Sequence, residues 1–339
     1  MDQSFIELTS SEITGLWTTF QNDSMSKCIL GFMLTHLEDT EIRPVIQTAL
    51  DYSTEHLDFL HTLFMRENFA IPVGFTEKDV NMEAPRLYSD SFCLTYVNHM
   101  AKAGMLAYSG MLSLSARTDI RAFFTHALIQ TTELFNKSSE VLLSKGLFVR
   151  APYIELPSAT DFVDSKDYYS GLNPFNEKRP LNSIEISHLY LNIQTNAIGV
   201  KICLSFAQTA PSEEIQEFML RGKEISQKHI TVFTKSLMEN DIQVPSTSDI
   251  GITDSTTQVF SEKLMMFHMS LLSASGSGNY ATAAAASQRT DLVVNYDRLS
   301  LEIAKFAKSG ADIMIKHNWL EQPPGTKNKE QLAKNKEGF

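Results

Sequence analysis

A serine and a histidine three residues apart occur twice in the chain, as Ser53 with His56 and as Ser226 with His229. That spacing places both side chains on one face of a helix, where an imidazole can bind a metal or move a proton. Each histidine also belongs to an apolar pattern, so both are predicted to face a protein core at mid-helix. Two interpretations remain open: a metal site, or a core histidine bonded to a serine or a carbonyl group. We favour the second.

The metal interpretation needs further ligands. The carboxylates that could join inward histidines are Asp23, Glu55 and Glu133. Ferritin-like di-metal sites use carboxylates from four helices and two Glu-x-x-His motifs. The chain has one such motif, Glu185 with His188, at the start of a helix rather than its middle. We therefore assign no catalytic or cofactor-binding residue and no metal, with iron or manganese as the alternative. The candidate metal ligands are His56, His229, His99 and His268.

The elements that carry these residues are predicted to be helices. Apolar residues at steps of three and four predict helices over about residues 9–37, 41–68 and 86–114, with a fourth ending near residue 146. The second half of the chain repeats this pattern at a nearly constant offset. A duplication explains that regularity better than coincidence does.

One repeated turn precedes the fourth helix of each half. It reads SARTDI from Ser115 and SQRTDL from Ser287. Each serine is predicted to be an N-cap, because its oxygen can accept from free first-turn N–H groups. Arg117 and Arg289 could form an anion site, or could pair with aspartates and tie two helix ends together. We favour the structural role.

Connection lengths predict the topology. Short loops join helices 1 and 2, and 3 and 4, so each pair is expected to be antiparallel. A helix of about 28 residues is roughly 42 Å long. The connection between helices 2 and 3 has about 17 residues and can reach roughly 55 Å. It can cross the whole bundle, as in ferritin-like folds.

The predicted fold is therefore all-α, with two tandem ferritin-like four-helix bundles. The predicted domains are a first bundle over 1–150, a linker packed on the bundles over 151–180, a second bundle over 181–322, and a disordered Lys-rich tail over 323–339.

Composition excludes several classes of protein. The net charge is -11, without a basic block in the folded part, so nucleic acid is not an expected partner. No apolar run approaches the roughly 20 residues that span a bilayer, and no secretory signal is expected. Three scattered cysteines indicate a reducing compartment, so the expected location is cytoplasmic. No nucleotide-binding glycine loop or hydrolase serine motif occurs.

Several motifs resemble those of a family of spore-forming Gram-positive bacteria, a domain of unknown function numbered 3231. The motifs are IPVGFTEKDV from Ile71, APRLYSD from Ala84, KGL from Lys145 and WLEQPP from Trp319. Members of that family look like tandem ferritin-like bundles, distantly similar to spore coat protein F. The resemblance implies the same fold and a spore association. It brings no catalytic residues with it.

Two functions follow as hypotheses. The first is a non-enzymatic structural or interaction protein, spore- or stress-associated, with protein partners or a homo-oligomer. The alternative is a metal-binding ferritin-like oxidase or storage protein. Desolvation should keep His56 and His229 neutral unless a carboxylate pairs with them. If His56 is structural, His56→Leu is expected to fold with little loss of stability.

Overall fold

A computed structural model of the protein describes residues 6–172, 178–245 and 251–334. Over these residues the chain is helical, and extended backbone pairs only in isolated bridges. The helices are α1 (Ser10–His36), α2 (Arg43–Arg66), α3 (Asp90–Ser113), α4 (Thr118–Ser144), α5 (Ser183–Thr209), α6 (Glu213–Met238), α7 (Glu262–Ala286), α8 (Thr290–Lys316) and α9 (Lys329–Lys334). We call α1–α4 unit 1 and α5–α8 unit 2. The all-α, duplicated fold predicted from the sequence is confirmed.

In unit 1 the connection between α2 and α3 crosses the length of the bundle. Phe64, near the end of α2, packs on Phe20 in α1 with ring centroids 5.9 Å apart. At the opposite end, the backbone N–H groups of Glu38 and Asp39, just after α1, both donate to Asp90 Oδ2 at the start of α3. Helix α3 therefore runs parallel to α2, and short loops make α1–α2 and α3–α4 antiparallel pairs. One long crossover is the arrangement of ferritin-like bundles.

Unit 2 repeats this arrangement. Ser212 follows the end of α5, and its backbone N–H donates to Glu262 Oε1 at the start of α7 over 2.9 Å. At the other end, Asn240 Oδ1, just after α6, accepts from the backbone N–H of Leu181, just before α5. The connection between α6 and α7 therefore also crosses its bundle. The duplication preserves topology as well as helix lengths.

The predicted N-caps of α4 and α8 are wrong. These helices start after Arg117 and Arg289, two residues beyond the predicted caps Ser115 and Ser287. Ser115 Oγ instead donates to the carbonyl of Met111 at 2.8 Å, and Ser287 bonds backwards in the same way. The last carbonyls of a helix lack intrahelical partners, so a serine there can satisfy the preceding helix instead of starting the next one.

The two units are related by an approximate twofold axis. Their crossover connections pair in an antiparallel sense, through one bridge between Val80 and Phe260 and another between Tyr88 and Ile252. Val80 and Ile252 are equivalent positions in the duplication, and so are Tyr88 and Phe260. Each bridge is thus the other one with the units exchanged. That is the geometry of an isologous dimer interface, built here within one chain.

Side chains follow the same symmetry. The rings of Phe32 and Phe260 meet edge to face with centroids 5.6 Å apart. At the equivalent place, the hydroxyls of Tyr88 and Ser205 lie 3.0 Å apart. These contacts belong to one core of buried residues that runs continuously through both units. The two bundles therefore share one hydrophobic core and are not independent domains joined by a linker.

The segment between the units packs unevenly. Tyr153, Leu156 and Phe162 are 90%, 85% and 85% exposed. Further along, the Tyr168 hydroxyl donates to Gln288 Oε1 at 3.2 Å, which holds the end of the segment to unit 2. Residues 173–177 of this predicted linker lie outside the described residues.

The end of the chain was predicted to be a disordered tail. Within it, α9 forms a short helix over Lys329–Lys334. Residues 335–339 lie outside the described residues.

Candidate functional site

The four candidate histidines are all buried, and they lie in four separate places. His56 on α2 and His229 on α6 face the interiors of their own units, 4% and 0% exposed, as their apolar patterns predict. His268 on α7 lies between the units, and His99 on α3 lines a separate pocket. The structure therefore brings no two of these histidines into one site. The most connected of them is His56.

His56 is held at both ring nitrogens. Its Nδ1 lies 2.9 Å from Asp23 Oδ2 on α1, and its Nε2 lies 2.8 Å from Gln130 Oε1 on α4. Ser53 Oγ donates to the other oxygen of the Asp23 carboxylate at 3.3 Å. Three helices thus converge on one imidazole, and the Ser53–His56 spacing seen in the sequence serves to bind one carboxylate.

The partners of Gln130 fix the charge of His56. Gln130 Nε2 donates to Glu55 Oε2 at 2.8 Å, and an ionised carboxylate can only accept. The other amide atom, Oε1, therefore accepts from His56, while Asp23 accepts at the opposite nitrogen. Both ring nitrogens must carry protons, so His56 is an imidazolium.

The pKa of His56 agrees with this assignment. Burial by itself would lower it, but the hydrogen bond and negative charge of Asp23, with Gln130 and Glu55, raise the pKa above 6.5. The Asp23–His56 contact is a buried ion pair, with side chains 9% and 4% exposed.

The equivalent histidine of unit 2 is in the opposite state. Asn196 Nδ2 donates to the Tyr280 hydroxyl at 2.7 Å, and that hydroxyl lies 2.9 Å from His229 Nδ1. With the tyrosine oxygen accepting from Asn196, donation of its own proton to an unprotonated Nδ1 satisfies both groups, and we assign that tautomer. The remaining proton sits on Nε2, 3.4 Å from Glu302 Oε2. Burial lowers the pKa of His229 to about 4 against the hydrogen bond and charge of Glu302.

Four exchanges at equivalent positions produce this difference. Where unit 1 has Asp23, Gln130, Glu55 and His126, unit 2 has Asn196, Glu302, Lys228 and Arg298, in the same order. The carboxylate next to Nδ1 is neutralised, and a carboxylate appears instead at the edge of the bundle. There Glu302 pairs with Lys228 at 2.8 Å and with Arg298 at 3.2 Å. One scaffold thus holds a charged histidine in unit 1 and a neutral one in unit 2.

The cavity beside the network of unit 1 is larger than the equivalent cavity in unit 2. It has a volume of about 160 Å³ and is lined by Asp23, Ser53, His56 and Tyr108, with residues of α7. The equivalent space around His229 has about 60 Å³. In unit 2 the Asn196–Tyr280 hydrogen bond connects α5 and α7 across this space. The cavity depends on contacts between distant segments, and no local sequence signal predicts it.

His268 contacts the other unit. Its Nε2 lies 3.1 Å from the Tyr96 hydroxyl, and its Nδ1 has no hydrogen-bond partner among the described residues. Burial lowers the pKa of His268 to about 3, so it is neutral.

Comparisons with known proteins now give the family. A sequence profile described as "Protein of unknown function (DUF3231)" matches residues 1–159 and, again, residues 169–332. The chain belongs to this family. The two matches correspond to units 1 and 2, so each unit is one copy of the family's domain. A search of curated proteins finds no match.

One solved structure is similar to part of the chain. It is the crystal structure of a candidate spore coat protein from Bacillus halodurans C-125, with 15% sequence identity and a TM-score of 0.41. The match covers 45% of this chain and 99% of that one.

In this family member the interior donors do not fit a di-metal centre. Ser53 and Ala127 stand three residues before His56 and Gln130, where Glu-x-x-His motifs would place glutamates. An imidazolium has no free lone pair for a metal. Over the described residues, no three His, Cys, Asp or Glu side chains lie close enough together to hold an ion.

The other proposed ligands are used elsewhere. Glu133 accepts from the Tyr52 hydroxyl at 3.1 Å near the surface. Glu185, in the Glu-x-x-His motif of unit 2, accepts from the backbone N–H groups of Gln288 and Arg289 at 3.1 and 2.9 Å. Its carboxylate also pairs with Arg179 at 2.8 Å.

The repeated turn forms a structural clamp. Arg117 donates to both oxygens of Asp119, at 3.0 and 2.7 Å, and to Glu67 at 2.9 Å. Glu12, fully buried in the first turn of α1, accepts from the backbone N–H groups of Ala116 and Arg117 at 2.9 and 2.7 Å. These contacts fill the donors of the arginine and tie three helix ends together. The structural alternative for Arg117 therefore holds, and Arg289 makes the same bidentate contact with Asp291.

Across the described ranges, no helix combines the length and apolar character that a membrane crossing needs.

Proposed function

We propose that this protein is a non-enzymatic structural or interaction protein, associated with spores or stress. One observation carries the proposal: the mid-bundle position that holds metals in ferritin-like enzymes is filled here by a closed hydrogen-bond network. Both nitrogens of His56 are engaged, and Asp23 accepts from His56 and from Ser53. A catalytic metal needs several carboxylates and ligand nitrogens with free lone pairs, whereas here one carboxylate, Asp23, contacts an imidazole that is protonated at both nitrogens. The proposal therefore includes no resident iron or manganese.

The surface supports an interaction role. Tyr153, Leu156 and Phe162 are large apolar side chains on one extended segment, each at least 85% exposed. Large apolar side chains this exposed on one segment can be buried against another protein. A protein partner, or a second copy of the chain, fits this segment better than nucleic acid does, because the net charge is -11. The proposed spore association rests on the sequence motifs, and the proposed cytoplasmic location rests on the three scattered cysteines.

Metal analysis of untagged protein tests the non-enzymatic part. We expect far less than one equivalent of iron, manganese or zinc per chain, and no change in melting temperature when a chelator or iron is added. About two metal ions per bundle, lost in a His56→Leu variant that still folds, would favour the oxidase or storage alternative.

Crosslinking in cell extracts tests the interaction part. The variant Tyr153→Ser, Leu156→Ser, Phe162→Ser should lose crosslinked partners or self-association while keeping its melting temperature. A matched variant with Leu301→Ser, also exposed at 64% but on α8, should retain them. Equal crosslinking by both variants would remove the linker from the proposal.

A further inference from the structure

A second pocket lies where the two units meet, away from the His56 network. It has a volume of about 90 Å³ and opens between α3, the end of α4 and α5. Its walls are largely apolar. The apolar residues are Phe92, Leu142, Leu147, Phe148, Val149, Ala197 and Ile198, and the neutral polar ones are Ser91, Thr95, Asn98 and Gln194. The polar side carries His99 and Lys102 from α3 and Lys201 from α5, and no aspartate or glutamate is among the described residues that line it.

His99 is a buried polar side chain without a partner. It is 6% exposed, and its ring makes no hydrogen bond to the part of the chain that the structure describes. Burial, and then the charge of Lys102, lower the pKa of His99 to about 4, so the imidazole is neutral and keeps one N–H donor. A buried group of this kind is costly unless a ligand or water satisfies it.

Lys102 lies one helical turn further along α3, on the same face as His99. Burial lowers its pKa, and no carboxylate among the described residues pairs with it. The contact it makes is with the ring of Phe135, 5.8 Å from the ammonium nitrogen to the centroid. A partly desolvated ammonium without a counterion favours an anion beside it. Lys201, whose nitrogen lies 5.8 Å from the Phe92 ring centroid, lies on the opposite wall.

We propose that this pocket binds a small monocarboxylate with a short apolar body. One ammonium and one neutral N–H donor match the two oxygens of a single carboxylate. The apolar walls suit a hydrocarbon body. A cavity of about 150 Å³ holds benzene, so a pocket of about 90 Å³ takes a smaller body, on the order of four carbon atoms. This site is independent of the proposed function.

The duplication provides substitutions that the fold already accepts. In unit 2 the positions equivalent to His99 and Lys102 are Leu271 and Ala274. They lie on α7, the counterpart of α3. His99→Leu and Lys102→Ala therefore copy residues that one unit already carries at that place. Neither variant introduces a volume or a charge that is foreign to the scaffold.

Calorimetric titration of the full-length protein with butyrate tests the site. We expect one butyrate per chain, and binding of butyramide, its neutral isostere, at least about tenfold weaker, since charge-assisted hydrogen bonds are lost. His99→Leu and Lys102→Ala should each weaken butyrate binding by at least about tenfold. Lys235→Met, which removes a lysine with a side chain 76% exposed on α6, should leave it unchanged.

Several results would overturn the proposal. One is no heat with butyrate at about 10 mM, roughly tenfold above the dissociation constant of about 1 mM expected of so small a ligand. Others are equal binding of butyramide and butyrate, binding of inorganic phosphate as tight as that of butyrate, or unchanged affinity in both variants. Melting curves of His99→Leu and Lys102→Ala show whether each is folded, and either folded variant decides the matter.

Discussion

Tyr96 of unit 1 and His268 of unit 2 occupy equivalent positions in the duplication, and they touch each other: the Tyr96 hydroxyl lies 3.1 Å from His268 Nε2. Two equivalent residues can be in contact only close to the axis that relates the units. Both are buried, at 3% and 0% exposure. The axis therefore passes through packed side chains, as in a dimer whose subunits have been joined into one chain.

Cutting the connection between the units should not separate them. A protease site inserted between Leu156 and Phe162, where both neighbours are 85% exposed, should be cleaved while the fragments still elute at the size of the intact chain. The shared core and the paired crossovers hold the halves together. His268→Glu should weaken that association, because it buries a charge at the axis. Fragments that separate in native buffer without this substitution would contradict the shared core.

Removing His56 should be costly, contrary to what the sequence alone predicts. His56→Leu leaves the Asp23 carboxylate buried and unpaired, which we expect to lower the free energy of unfolding by about 3–5 kcal/mol. The double variant Asp23→Asn, His56→Leu should be more stable than His56→Leu alone, since Asn196 already occupies the equivalent place in unit 2. Chemical denaturation measures both, and equal stabilities would show that no charged pair exists.

The two mid-bundle histidines should titrate on opposite sides of the usual histidine pKa of 6.5. The charged His56 stabilises the folded protein. This contribution is fully present below the pKa of the unfolded state and is lost as pH rises through the raised pKa of the folded state. His229 is neutral when folded, with a pKa of about 4, so its contribution is lost as pH falls from about 6.5 toward 4. Proton NMR of the imidazole C–H signals, assigned with His56→Leu and His229→Leu, measures both. A shared midpoint near 6.5 would contradict the assigned states.

The buried carboxylate of Glu12 should be required for stability. Glu12→Ala leaves the backbone N–H groups of Ala116 and Arg117 without acceptors. We expect the free energy of unfolding to fall by about 1–3 kcal/mol for each buried donor. Thermal and urea unfolding should show this loss. Glu38→Ala, at a side chain 82% exposed, is the matched control and should change stability little. Equal effects would show that the clamp contributes nothing.

The predicted helices and the inward direction of the histidines depend on local rules. Apolar steps of three and four residues predict the helices, although α3 begins at Asp90, four residues after the predicted start near residue 86. The N-cap rule failed at Ser115, where two hydrogen bonds compete. The serine oxygen can accept from the free N–H groups of the next helix, or its hydroxyl can donate to the free carbonyls of the preceding one, as it does to Met111. Periodicity cannot decide between them, because both lie within one turn of the serine.

The sequence by itself determined the helices, their duplication and the long crossover, because these follow from periodicity and chain length. Only the tertiary structure decided the charge of His56, since Asp23 and Gln130 lie 33 and 74 residues away and meet it through packing. The same holds for the axis through Tyr96 and His268, which lie 172 residues apart. A protonation state depends on every partner that surrounds a buried group, and those partners come together only when distant helices pack.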